Sequence, residues 1–251
     1  MTGGAGGWDG YVLAYHDANP GVTEDVLAAA VDSSGRTPYD WLLEAVPARA
    51  GVVVDLACGN GAVLRRRGRP AVGVDVSPGE LARARRDSPT ATLVRADATS
   101  LPLVAGAAGA VTVSMALMVM PAEAVLAEAA RVVRAGGVLA ATVPSRGTGA
   151  AGFAEILNDL GQAGAGYPEA LSDPGALLGR AGFDLEEDAT SSFLRPVAGP
   201  DEADLVVRSF YAPGAGEARR GAAAARLRAR VAAGPVTLAY PIRRLTAVRR
   251  G

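Results

Sequence analysis

Short apolar runs and amphipathic stretches alternate along the middle of the chain. Val52-Val53-Val54-Asp55-Leu56 is a β-branched run opened by Gly51, the pattern of a strand buried on both faces. Residues 71–76, 92–95, 110–114 and 138–143 repeat that signature. Between them, residues 62–67, 78–87 and 122–134 carry helical spacing, the last stopped by Gly136-Gly137. Strands that alternate with helices predict βαβ units with right-handed crossovers, hence an α/β fold around a parallel sheet.

The flanks are patterned differently. Residues 22–31 and 38–46 read as helices, with Thr23 placed to cap the first and Pro38 suited to the first turn of the second. Residues 1–10 are glycine-rich, which predicts mobility. Farther on, residues 151–161, 174–181, 201–211 and 217–233 read as helices, and residues 183–193 as a strand with a charged outer edge. Residues 236–248 read as a last strand, in which Pro241 predicts an edge position or a bend. No internal repeat appears. The expected organisation is a helical lid over residues 1–49 and an α/β domain over residues 50–251. Within the domain, residues 50–145 form the core and residues 146–251 a cap and closing strands.

Composition narrows the class. Of 251 residues, 49% are hydrophobic and 20% charged, which excludes a disordered chain. The longest apolar run, from Val111 to Met120, is broken by Thr112 and Ser114, well short of the roughly 20 residues needed to cross a bilayer. The first residues lack the basic and apolar regions of a secretion signal, so a cytoplasmic protein without membrane contact is expected. A single Cys and a single His exclude a disulfide and the usual structural zinc sites, and no metal is expected. All 25 basic residues are Arg, so no Lys can act as a Schiff base or general base. Residues 1–200 hold 15 Arg against 22 acids and residues 201–251 hold 10 against 4, net charges of −7 and +6. The basic tail reads as Arg on solvent-facing helices, although it could draw an anionic partner. Net charge −1 and 5% aromatic content argue against an RNA-binding surface.

The chemistry-bearing stretch is Asp55-Leu56-Ala57-Cys58-Gly59-Asn60-Gly61, between a predicted strand and a predicted helix. Glycines there allow a tight turn and close approach of a ligand, and the helix start offers free N–H groups. A phosphate-binding loop would need Gly-Lys-Ser/Thr, which is absent. The dinucleotide fingerprint would need a glycine where Leu64 stands. Asp55 at the strand end suits a cationic ligand.

This segment resembles motif I of the class I S-adenosylmethionine-dependent methyltransferases, and the rest follows in order. Asp75 ends the second strand, where the resemblance implies contact with the ribose, Val76 beside it. Asp97 and Ala98 match the segment that meets the adenine, and Ser114 and Met115 the segment that lines the methionine end. Arg131-Val132-Val133-Arg134-Ala135-Gly136-Gly137 is similar to the family's "RVLRPGG". Two departures stand out: Ala57 replaces the first glycine of motif I, and Gly109 or Ala110 stands where the fourth strand usually opens with Asp. The resemblance implies a Rossmann-like sheet of seven mostly parallel strands with helices on both faces. It also implies S-adenosylmethionine as cofactor and S-adenosylhomocysteine as product. Asp55, Ala57, Cys58, Gly59, Asn60 and Gly61 would form the cofactor loop. Cys58 reads as a small buried residue, not a nucleophile, and Met115, Met118 and Met120 as core or pocket lining.

Residues before the first strand often form a lid in this family. His16, between Tyr15 and Asp17, is the leading general-base candidate because His alone titrates near neutrality. Tyr11, Tyr15 and Leu117 are candidate substrate contacts. The expected activity is methyl transfer to O, N or C of a small molecule, in bacterial secondary metabolism such as antibiotic biosynthesis. A mobile cap with Gly161, Gly164 and Gly166 would select the substrate. Two alternatives are an rRNA methyltransferase, whose zinc module one Cys cannot build, and a cyclase or binding protein of the same fold. Monomer and homodimer both remain open.

Overall fold

The computed structural model describes residues 7–67, 71–145, 151–161 and 165–251. Residues 1–6 and Gly164, where mobility is expected, lie outside the described residues. Helices α1 (Trp8–Ala18), α2 (Val22–Ala28) and α3 (Pro38–Glu44) precede β1 (Val53–Leu56). The winding part continues as α4 (Ala62–Arg67), β2 (Ala71–Asp75), α5 (Pro78–Asp87), β3 (Thr92–Arg95), β4 (Ala108–Ser114), α6 (Ala122–Val132) and β5 (Val133–Pro144). The chain closes with α7 (Ala151–Leu160), α8 (Glu169–Ser172), α9 (Pro174–Arg180), β6 (Phe183–Val197), α10 (Pro200–Arg208), α11 (Glu217–Ala233) and β7 (Val236–Arg249).

The seven strands form one sheet in the order β3-β2-β1-β4-β5-β7-β6. The first five run parallel, and β7 pairs antiparallel with both β5 and β6. The winding reverses between β1 and β4, so their carboxyl ends flank a crevice where open α/β sheets bind ligands. Strand residues alternate between the two faces. Val53, Ala110 and Ala140 pack with α2, α3, α7, α10 and α11; Val54, Val111 and Ala141 pack with α6, α8 and α9. Helices α2 and α3 thus belong to the main core through Leu27, Trp41 and Leu42, and residues of α1, α2 and α3 all line the crevice.

Local chemistry explains most boundaries. Thr37 and Asp40 close a capping box on α3, with Pro38 in the first turn. Helix α2 is shorter than the pattern predicts. Gly21, at φ 77°, caps it without a side chain, and Thr23 lies inside the helix, contrary to its expected capping role. The helix ends at Ala28 because Val31 exchanges two backbone hydrogen bonds with Leu194. Helix α6 also stops early, at Val132, and the Gly136-Gly137 pair lies within β5 instead of ending the helix. Val133 turns extended there and pairs with Ala108.

Two further sequence features resolve in the sheet. Gly109, one of the two positions where the resemblance implies Asp, has no room for a side chain, since a Cβ there would lie 1.5 Å from the Ala50 carbonyl oxygen. Pro241 lies in a strand with neighbours on both sides, not at an edge. Its carbonyl accepts from Ser145 N, just past the last β5 residue, so its missing N–H falls where that ladder ends. The basic tail is largely internally paired. Arg226, Arg230, Arg243, Arg244 and Arg250 bind Asp159, Glu155, Asp188, Glu187 and Asp184, all outside residues 201–251. Among the described residues, no helix is long and apolar enough to cross a membrane.

Candidate active site

The turn after β1 is built from three left-handed residues: Ala57 at φ 52°, Gly59 at φ 50° and Gly61 at φ 81°. Cys58 N donates to Val74 O, which ties the turn to β2. Asp75 fixes it from the other side: its Oδ2 accepts from Gly59 N and its Oδ1 from Ser77 N, both at 2.9 Å. Ser77 caps α5 by accepting from Glu80 N. The fourth strand ends in the same way, with Met115 at φ 55°. Two non-glycine residues in this sparsely populated region, both at one crevice, are strain of the kind that functional sites hold.

A cavity of about 320 Å³ occupies the crevice. The motif residues Asp55, Ala57, Cys58, Gly59, Asp75 and Val76 line it, joined by Asp97, Ala98, Ser114 and Met115. Asn60 and Gly61 support the turn without lining the cavity; Asn60 is buried, and its backbone and side-chain oxygens accept from Arg65. Asp97 accepts from both the N–H and the hydroxyl of Thr99 while facing the cavity. The expected substrate contacts fall elsewhere. Tyr11 OH accepts from Ala212 N, Tyr15 OH donates to Arg208 O, and Leu117 is fully buried in the core under α6.

Helix α1 roofs the cavity and is tied down at several points. Trp8 Nε1 donates to Val119 O, Asp17 accepts from Ser77 Oγ at 2.6 Å, and Tyr167 OH donates to Asp9. His16 lines the cavity, but both ring nitrogens are engaged: Nδ1 lies 2.9 Å from Glu80 Oε1 and Nε2 2.9 Å from Tyr211 OH. Burial opposes its charge, yet the bond to Glu80 and the fields of Glu24, Glu80 and Asp75 outweigh it, so the His16 pKa is raised. A protonated His16 would donate from both nitrogens, which favours a strut over a free base.

The cavity is acidic. Asp55 is buried, with Thr112 Oγ1 donating to it at 2.7 Å, and burial still lifts its pKa to about 7. Burial beside Glu80 lifts Glu24 to about 8. Burial also raises Asp75, against the two N–H bonds that lower it. Burial pushes the Cys58 thiol well up, consistent with an inert side chain. Among the described residues, no arginine lines the cavity. Glu24, Glu80, Thr112 and Tyr211 carry no motif signal. Thr112 would have been readable only from the β1–β4 register, which sets it opposite Asp55.

The donor set fits a ligand with a cationic end. Glu24 Oε2 is buried without a hydrogen-bond partner, and a Cβ on Gly59 would close the approach to Glu24 Oε1 to 1.8 Å. The topology, the strained glycine turn and the acids after β1, β2 and β3 are the features that the resemblance to the class I S-adenosylmethionine-dependent methyltransferases implies. The methyltransferase-domain family model matches residues 54–141 of this chain. A demethylmenaquinone methyltransferase of Beutenbergia cavernae is 42% identical over 123 residues, about half of each protein (47% of this chain and 50% of that one). In fold, the chain is similar to a protein of Bacillus halodurans C-125 assigned to the methyltransferases, with TM-score 0.61 and 17% identity over 85% of this chain and 99% of that one. It is equally similar to the [4+2]-cyclase SpnF, with TM-score 0.61 and 21% identity over 95% of each.

Proposed function

We propose that the protein moves the methyl group of S-adenosylmethionine onto a small-molecule acceptor. The observation that carries this reading is the acidic cavity at the β1–β4 switch point, roofed by α1 and, among the described residues, lined by no arginine. When bound, S-adenosylmethionine supplies an electrophilic methyl group on a sulfonium. Asp75 and Asp97 would hold the adenosine part; each carboxylate oxygen has lone pairs beyond its present bonds. Ser114 and Met115, at the end of β4, would line the methionine end. Val12, Leu13, Val119 and Met120 give the mouth an apolar wall for an uncharged acceptor. The α1 roof would exclude water and hold the reactants together. His16 would hold α1 to α5 and Tyr211.

The demethylmenaquinone methyltransferase relative supports a small-molecule acceptor, and the internal pairing of the basic tail speaks against a nucleic acid. Placement in secondary metabolism rests on the sequence resemblance alone. The likeness to SpnF supports a second reading, cyclisation without methyl transfer. Calorimetric titration with S-adenosylmethionine and S-adenosylhomocysteine tests the cofactor first. We expect micromolar or tighter binding, weakened at least tenfold by Asp75→Ala. Folded protein that binds neither compound would overturn the proposal. Methyl-labelled cofactor with a panel of hydroxylated, amino and carbanion-forming acceptors then tests transfer. Binding without turnover across that panel would favour the cyclase reading.

A further inference from the structure

Resting on the methyltransferase reading, a second inference concerns a residue outside every motif. Glu24 stands in the first turn of α2 and lines the cavity. Its Oε2 is sealed from solvent and has no hydrogen-bond partner. Its Oε1 lies over Gly59, the glycine whose N–H binds Asp75, so two carboxylates converge on one residue of the cofactor turn. The ionisable groups around it are His16 on α1, Tyr39 on α3, Cys58 in the turn after β1, Asp75 after β2, Glu80 and Arg83 on α5, and Tyr15 and Tyr211. Of these, His16 and Arg83 can carry positive charge, and both are engaged elsewhere, His16 with Glu80 and Tyr211 and Arg83 with Asp25 and the Pro20 carbonyl. A buried carboxylate without a cation is costly, and such groups are ordinarily paired. An acid in a helix's first turn does help the helix, but a surface acid would do that without burial.

We propose that Glu24 recognises the positive charge at the methionine end of the bound cofactor, and that this cation is the partner its free oxygen lacks within the protein. Two groups could supply the charge, the ammonium and the sulfonium. Glu24, raised to about 8, is largely protonated at pH 7, so a cation seated beside it would displace the proton.

The test is calorimetry on the intact wild type, Glu24→Gln and Glu24→Asp with three ligands. These are S-adenosylmethionine, S-adenosylhomocysteine, which lacks the sulfonium, and methylthioadenosine, which lacks both charges. Glu24→Gln should weaken S-adenosylmethionine about 10- to 100-fold, the worth of a hydrogen bond to a charged group, and leave methylthioadenosine unchanged. Loss shared by S-adenosylhomocysteine would assign the ammonium; loss confined to S-adenosylmethionine would assign the sulfonium. Glu24→Asp should recover most of the affinity. At pH 7, titrations in buffers of different ionisation enthalpy should find the wild type releasing more protons than Glu24→Gln. Should Glu24→Gln fail to fold, Glu24→Ala takes its place in each comparison. Equal weakening of all three ligands, or none, or a fall in turnover with binding intact, would overturn the role of Glu24. Failure of the wild type to bind S-adenosylmethionine would instead overturn the methyltransferase reading.

Discussion

Ala57 is held at φ 52°, in a conformation that costs an L-residue about 1 kcal/mol and glycine little. The glycine that the resemblance puts at this position is therefore a conformational requirement that this chain meets under strain. Ala57→Gly should raise stability by about 1 kcal/mol, read as a higher unfolding midpoint with unchanged cofactor binding. An unchanged or lower midpoint would mean the Ala57 methyl group, which faces the cavity, contributes packing that offsets the strain. His16 makes the opposite case. Its two bonds join α1 to α5 and to Tyr211, so His16→Ala should cost about 1.5–3 kcal/mol and loosen cofactor binding together. A pure loss of kcat, with stability and binding intact, would restore it as a base. The motif acids Asp55, Asp75 and Asp97 were legible because their chemistry sits beside a strand-turn-helix signal. Glu24 was not: Thr23-Glu24-Asp25 reads as an ordinary helix start, and only the fold carries it to Gly59.

At the scale of elements, the repeating part of the chain was readable because each short β-branched run had one possible use, a strand buried on both sides. Helices α4 and α5 and strand β3 lie where spacing alone sets them. The errors occur where tertiary pairing overrides local pattern. Val133 leaves the helix because Ala108 offers it a ladder, and Pro241 tolerates an inner strand because β5 has run out beside it. Tyr11 and Tyr15, expected as substrate contacts in a segment read as a lid, turn their hydroxyls to residues 208–212. The join between α3 and the closing strands was invisible in sequence for a similar reason. Arg244 on β7 is buried, lies 4.5 Å over the Trp41 ring, donates to the Trp41 carbonyl and pairs with Glu187. Arg244→Ala removes all of these and leaves a buried carbonyl without its donor, so the unfolding free energy should fall by about 2–4 kcal/mol. Glu187→Gln should cost under about 1 kcal/mol, because Glu187 is exposed and its pairing is screened. Equal costs in denaturant titrations would show that the ion pair, not the stacked guanidinium, holds the join.

For the whole molecule, the acidic cavity should govern how stability depends on pH. Glu24 and Asp55 are raised by burial from 4.5 to about 8 and from 3.8 to about 7, so the folded chain holds protons that the unfolded chain has released. Stability must then fall as pH rises, beginning near the unfolded values and continuing to about pH 8. His16 acts in the same sense. Its folded pKa lies above 6.5, so its contribution is complete below pH 6.5 and fades as pH passes the raised value. The acids shifted the other way, Asp32, Glu128 and Asp188, are held low by hydrogen bonds, chiefly from arginines, against burial. They lose their contribution only as pH falls through their low values, so they do not cancel the trend near neutrality. Each raised group adds at most about 1.4 kcal/mol per pH unit across its interval. Thermal unfolding from pH 5.5 to 8.5 should therefore show a descending midpoint, flattened in Glu24→Gln. S-adenosylmethionine should flatten it as well, because a bound cation relieves the same buried charge and stabilises the folded chain most where the acids are ionised. A midpoint that stays level or climbs over this range in the wild type would mean that the cavity acids are solvated in the folded protein. The charge complementarity that ties this site to a cationic cofactor would then lose its physical basis.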